Sequence, residues 1–102
     1  MTEDIQLKLD EKDHGYFYYP DEEKPLAEME IGLSGNKLTV YHTEVSPKAE
    51  GKGLAKKLLN GMINYARKNN LKVMALCPFV HAQFKRHSKE YADILDTSGV
   101  TD

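Results

Sequence analysis

Apolar and polar positions alternate from Ile5 to His42, and beyond that the period changes. Ile5, Leu7 and Leu9 are separated by Gln6 and Lys8, the two-residue repeat of a half-buried strand. Asp10 to Gly15 reads as a turn, and the aromatic run Gly15 to Tyr19 as a second strand closed by Pro20-Asp21-Glu22-Glu23. Ala27, Met29 and Ile31 alternate with Glu28 and Glu30 in a third strand. Ser34-Gly35-Asn36 predicts the next turn, and Leu38, Val40 and His42 share the apolar side of a fourth strand. Four strands with short connections predict an antiparallel meander.

From Leu54 the spacing is helical. Leu54, Ala55, Leu58, Leu59, Met62, Ile63 and Ala66 recur on one face, with Lys56, Lys57, Asn60, Asn64, Arg67 and Lys68 opposite. Asn69-Asn70 predicts the stop. The continuously apolar run Val73 to Cys77 has the pattern of a strand covered on both faces. Strand, helix and strand in this order predict a right-handed crossover between parallel strands. Pro78 opens a short helix to about Arg86, and Tyr91 to Leu95 predicts a further turn or two. The fold class is therefore α/β with a mixed sheet, in which antiparallel front strands precede one β-α-β unit and a short C-terminal helix. Residues 1–102 form a single domain, with a core from about 4 to 95 and a frayed end over 96–102.

Composition narrows the function. A length of 102 residues supports one core, and 40% hydrophobic with 29% charged residues is the balance of a soluble globular protein. A net charge of −2 provides no electrostatic case for nucleic acid or an anionic membrane, and the basic clusters Lys52/Lys56/Lys57 and Lys85/Arg86/His87 are short. No apolar run reaches membrane-spanning length, and Met1-Thr2-Glu3-Asp4 lacks the apolar core of a signal peptide. The single cysteine, Cys77, excludes an internal disulfide and fits a reducing, cytoplasmic setting. His14, His42, His81 and His87 have no ligand spacing with a cysteine or carboxylate, so no metal site is expected.

The chemistry concentrates in Val45-Ser46-Pro47-Lys48-Ala49-Glu50-Gly51-Lys52-Gly53-Leu54-Ala55. This stretch joins the end of a strand to a long helix, with two glycines at the joint. Without a Cβ the backbone can turn tightly and bring its N–H groups close to an anion. The helix start adds unpaired N–H groups and the positive end of its dipole. A phosphate-bearing ligand fits such a loop, although Gly-x-Gly before a helix also serves as a plain turn.

With these residues in view, the chain resembles the Gcn5-related N-acetyltransferases, and most closely their very small YjdJ-type branch. The resemblance spans residues 15 to 95. It rests on His42-Thr43-Glu44-Val45, on the loop Glu50 to Ala55, and on Cys77-Pro78-Phe79-Val80 with Arg86-His87-Ser88-Lys89-Glu90-Tyr91. The family's loop reads Gln/Arg-x-x-Gly-x-Gly/Ala; Gly53 and Ala55 match it, and Glu50 departs from it. The resemblance implies that acetyl-coenzyme A is the co-substrate and that a primary amine accepts the acetyl group. The backbone from Gly51 through Lys52, Gly53 and Leu54 to Ala55 would carry the pyrophosphate, with Lys52, Lys56 or Lys57 reaching the 3′-phosphate. Pantetheine would lie between strands that splay after Val45 and Cys77, pairing with backbone near Glu44 and Val45. Larger members insert a helical pair between their first two strands. Asp10 to Gly15 is too short for it, so the acceptor side is expected to be open, for a large surface, a disordered peptide or no acceptor at all.

Three side chains are candidates for catalysis. Cys77, placed before Pro78 at a helix N-terminus, either accepts the acetyl group or takes no covalent part in direct transfer; a small buried hydrophobe is the competing reading. His42 could take a proton from the attacking amine, or be satisfied by a core hydrogen bond. Glu44 could serve as the base, or be a solvated carboxylate. His81 could approach the ligands, and His87 reads as surface. Tyr16 to Tyr19 reads as two core rings and two exposed ones. Phe79 and Phe84 read as anchors of the last helix, and Lys85-Arg86-His87 as a solvated helix end. The alternative to an enzyme is a non-catalytic coenzyme-A-binding sensor or interaction module.

Overall fold

The computed structural model describes residues 5–20 and 25–95. It forms one sheet in the order β1 (Gln6–Leu9), β2 (His14–Tyr19), β3 (Ala27–Ser34), β4 (Lys37–Val45) and β5 (Lys72–Ala75). β1 to β4 pair antiparallel and β5 joins β4 in parallel. Helix α1 (Leu54–Lys68) makes the crossover, and α2 (Pro78–Arg86) follows β5. The mixed sheet and its β-α-β unit are those expected from the hydrophobic periods. The frayed end over 96–102 and the turn residues Asp21, Glu22 and Glu23 lie outside the described residues.

Local chemistry shapes the first hairpin. The Asp10 carboxylate accepts N–H bonds from Lys12 at 2.8 Å and His14 at 3.0 Å, which hold its pKa below the ordinary value. Gly15 faces Leu9, and a Cβ there would run into the Lys8 carbonyl. Only glycine lets these two backbones approach so closely.

α1 buries Leu54, Leu58, Leu59, Met62, Ile63 and Ala66. These join Phe17, Met29, Ile31, Leu38, Val40 and Val73 in one core cluster. Each fully buried aliphatic or methionine side chain contributes about 1.5–3 kcal/mol of transfer free energy. The helix stops where expected. Asn70 adopts φ 56°, and the N–H groups of Leu71 and Asn70 return to the carbonyls of Ala66 and Arg67 at 2.8 and 3.4 Å. That is the paired closure of a left-handed C-terminal cap. Beyond α2, Val73 bridges Leu95, and Arg67 ties Asp93 at 3.1 Å, so the last turns lie against β5.

Two expectations are corrected. The strand expected over Val73 to Cys77 ends at Ala75 and is not covered on both faces, since Leu76 is 58% exposed. The N–H groups of Leu76 and Cys77 both bond the Val40 carbonyl, at 2.9 and 3.0 Å, as the chain turns off the sheet. The aromatic run also places one ring in the core rather than two. Phe17 is buried, Tyr18 and Tyr19 are half-buried, and Tyr16 is exposed.

Candidate functional site: the crevice between β4 and β5

The last rung between the parallel strands is Val40–Ala75, yet β4 continues to Val45. Its final residues pair with β3 alone, and a crevice opens on the other side. Cys77 lies across this crevice as N-cap of α2, with Pro78 at the first helical position. Its thiol donates to Thr43 Oγ1 at 3.2 Å and is 2% exposed. Thr43 had no role in the sequence reading. The side-chain alternation that would have flagged it is broken just upstream.

That break also corrects the placement of His42. Glu30 pairs with His42 while Ile31 pairs with Val40, so Tyr41 is an extra residue, a β-bulge. One extra residue reverses the alternation of everything after it. Leu38 and Val40 point into the core, but His42 faces outward, its side chain 61% exposed. Thr43 and Val45 are half-buried instead. The Tyr41 ring packs over Gly32, where a Cβ would stand 3.1 Å from it. Glu44 shares the outward face, 64% exposed, with its Oε2 3.9 Å from His42 Nε2.

The backbone at the crevice can be read from one bond. Ser46 N–H donates to the Leu26 carbonyl at 2.8 Å, which makes Val45–Ala27 a non-hydrogen-bonded pair. The Val45 N–H and C=O therefore turn away from β3 toward the opened side. A hollow of about 630 Å³ at this end of β4 is lined by Pro25, Ala27, Glu28, Glu44, Val45, Ser46 and Pro47.

The glycine loop follows directly. After a 3-10 turn at Pro47–Ala49, Gly51 has φ 84° and Gly53 has φ 72°, and nothing lies within 4 Å of a Cβ built on either. Gly53 is the N-cap of α1 and supplies no side-chain cap. The first N–H groups of the helix, at Leu54, Ala55 and Lys56, therefore lack intrahelical partners. No acidic side chain occupies the first turn. Glu50, Lys52 and Lys56 are exposed at the loop, whereas Lys57 stands 5.5 Å over the Tyr19 ring. Its side chain thus packs on β2 rather than reaching over the loop.

The remaining candidates are dispersed. His81 is exposed on α2. His87 is half-buried against the Tyr91 ring at 6.2 Å rather than a surface residue. Phe84 is buried 5.1 Å from Tyr91 and anchors α2, while Phe79 is half-buried. Among the described residues, no three histidine, cysteine or acidic side chains are grouped to hold a metal ion, and no helix is long and apolar enough to cross a membrane.

The strand parting, the uncapped helix start and the glycine loop between them lie together at one end of the sheet. A family model described as GCN5-related N-acetyl-transferase matches residues 15–94, more than half of the chain. The chain belongs to this family.

Solved structures agree with the assignment to the GCN5-related N-acetyltransferases. A GCN5-like protein from Staphylococcus aureus, proposed as an N-acetyltransferase, is 31% identical with a TM-score of 0.66. The match covers 97% of this chain and 98% of that one. Two ribosomal-protein alanine N-acetyltransferases share the fold. The Escherichia coli S18 enzyme has TM-score 0.57 and 18% identity over 65% of this chain and 43% of its own. The Brucella melitensis biovar Abortus 2308 enzyme has TM-score 0.58 and 17% identity over 91% and 71%. No curated protein matches the chain.

Proposed function

We propose that this GCN5-related N-acetyltransferase moves acetyl from acetyl-coenzyme A to a primary amine, and that it stands in the small YjdJ-type branch. The observation that carries the reading is the uncapped start of α1 behind two open, positive-φ glycines, at the end of a strand that has just parted from its neighbour. The branch placement is supported by the short Asp10–Gly15 connection and by a Staphylococcus aureus relative covered over 98% of its length.

Bound acetyl-coenzyme A supplies an activated acetyl group: a C–N bond to the amine forms, the C–S bond breaks, and coenzyme A leaves as its thiol. The chain's residues supply position and charge. Backbone N–H groups of Gly51 and of Gly53 to Lys56 receive the diphosphate, assisted by the helix dipole and by the Lys52 and Lys56 side chains, while the Lys52 N–H is held by the Ala49 carbonyl. The exposed Glu50 side chain can turn into solvent and leave that approach clear. The free edge of β4 at Thr43 and Val45 holds the pantetheine amides by strand-like bonds. Val45 N–H, aimed at the opening, polarises the thioester carbonyl and stabilises the negative charge that develops on its oxygen. Glu44 accepts the proton shed by the amine and returns it to water, with His42 beside it as a relay. Cys77, buried and bonded to Thr43, holds the base of the crevice, and transfer is direct.

Calorimetric titration with acetyl-coenzyme A, followed by intact mass of the same sample, tests this. Saturable binding at one site with no retained acetyl group is expected. Absence of binding at millimolar ligand would remove the reading, and an acetyl adduct lost in Cys77→Ala would replace direct transfer by a covalent route. No observation favours the non-catalytic alternative.

A further inference from the structure

Gly32 stands inside β3, and no turn requires a glycine there. Its backbone lies outside the left-handed region that Gly35, Gly51 and Gly53 occupy. A glycine in the interior of a strand weakens it, and often marks a bulge or a close approach. Here the approach is that of a ring. A Cβ on Gly32 would stand 3.1 Å from both Cε2 and the hydroxyl of Tyr41, the extra residue of the bulge.

The ring crosses β3 on the face turned away from the core and reaches β2. There the His14 ring lies with its centroid 5.9 Å from that of Tyr41. His14 is the cross-strand partner of Gly32, and its Nε2 is 2.7 Å from Oε2 of Glu30. Glu30 in turn pairs with His42, the first residue past the bulge. The Asp10 carboxylate accepts the His14 N–H at 3.0 Å, so the β1–β2 turn fixes the far side of the cluster. The side chain of the extra residue and the carboxylate opposite the bulge are thus both tethered. A bulge otherwise leaves one residue unpaired and interrupts the ladder, a local weakness in the strand. A ring laid over a strand glycine is one way of pinning register.

Without that pin the weakness would fall at the site itself. Beyond Tyr41, β4 pairs with β3 alone and carries Thr43, Glu44 and Val45. The hollow at the strand end is lined by other residues than Tyr41. We propose that Tyr41 is a positioning residue for the transfer reaction, acting through the bulge rather than on the ligand. Seated on Gly32 and against His14, its ring holds the end of β4 so that the Val45 N–H keeps its aim into the crevice. This rests on the acetyl-transfer reading and adds Tyr41, Gly32 and His14, to which that reading gives no role. Loss of the ring does not reverse the strand, because regular pairing would turn His42 and Glu44 into the core. It frees the strand end to move.

The test compares four variants of the full chain. Tyr41→Ala removes the ring, and Gly32→Val fills its seat with a residue that suits a strand. Tyr41→Phe keeps the ring. Tyr16→Ala removes a similarly exposed ring, which also packs on His14 but belongs to β2. Amide exchange is followed at His42 and Glu44, whose N–H groups face β3 because Val45–Ala27 is a non-hydrogen-bonded pair. The Val45 amide shift is compared between complexes with acetyl-coenzyme A and with coenzyme A, which lacks the thioester carbonyl.

In Tyr41→Ala and Gly32→Val, exchange at both amides should rise roughly tenfold relative to amides of α1, which report global stability. The Val45 shift that distinguishes the two ligands should disappear. Calorimetric affinity for acetyl-coenzyme A should stay within about threefold, since the glycine loop is untouched. Tyr41→Phe and Tyr16→Ala should behave as the wild type. Exchange rising equally in α1, a Val45 shift retained in both ring-displacing variants, or the same losses in Tyr16→Ala would make Tyr41 an ordinary packing residue and overturn the proposal. Losses in Tyr41→Phe would move the role to the hydroxyl and overturn it as well. Failure of the transfer reading shows separately, as no acetyl-coenzyme A binding by the wild type, and the exchange comparison then judges the ring by itself.

Discussion

The Cys77 thiol donates to the Thr43 hydroxyl across 3.2 Å, joining two strand ends that no longer share a ladder. The bond sits beyond the last rung, Val40–Ala75, where the backbones have begun to separate. A hydroxyl and a thiol thus hold the base of an opening whose rim is backbone.

Burial of Cys77 at 2% exposure sets an expectation for its removal. Cys77→Ala should fold with a loss of about 1 kcal/mol, the worth of one ordinary hydrogen bond, and should retain acetyl transfer. Thr43→Val should cost a similar amount. Urea unfolding with a coupled thiol-release assay measures both quantities. A folded Cys77→Ala protein with no turnover would require the covalent route.

Gly53 has φ 72° with open space around it, so strain and access can be separated there. Gly53→Ala should lose about 1–2 kcal/mol from left-handed strain. Gly53→Glu should lose a similar amount of stability and, in addition, all measurable acetyl-coenzyme A binding, since bulk and negative charge would occupy the approach of a phosphate. Calorimetry on both folded variants decides it; unchanged affinity in Gly53→Glu would remove the loop assignment.

At Gly15 the constraint is contact. A Cβ would meet the Lys8 carbonyl, so Gly15→Ala should push β1 from the sheet. The expected cost is about 2 kcal/mol, as for overpacking elsewhere. For a domain of this size that is a fall in Tm of roughly 10 °C. Faster amide exchange at Lys8 and Asp10, whose N–H groups face β2, would locate the damage.

Arg67 hydrogen-bonds Asp93 and holds its carboxyl below the ordinary 3.8. The folded chain therefore binds that proton less readily than the unfolded chain. The stabilisation is fully present above 3.8 and is lost as pH falls through the lowered folded value. Asp93→Asn should be less stable than the wild type at neutral pH, and the difference should shrink toward zero on acidification below 3.8. Thermal unfolding from neutral to acidic pH follows it; a gap constant with pH would mean that the ion pair contributes nothing.

The strand and helix periods were legible because they are local. Leu7 and Leu9, or Leu58, Met62 and Ala66, declare their face by spacing alone. Asn69-Asn70 announced a helix end for the same reason. His42 faces against its local period because its orientation depends on Tyr41, which is extra only relative to Glu30 and Ile31 on the neighbouring strand. Leu76 and Cys77 continue an apolar run, yet both their N–H groups go to Val40, so the run outlasts the strand. Glu28 and Glu44 lie on different strands, and only register makes them a pair.

By itself, the sequence determined the order of the elements, the α/β class and the glycine loop ahead of α1, since each depends on residues within a few positions of one another. The tertiary structure decided where β4 leaves β5, which face receives His42 and Glu44, and that Cys77 meets Thr43. The last of these joins residues 34 positions apart. They exist only once strand register and packing bring the residues together, and a change of one residue in register turns every side chain beyond it to the opposite face.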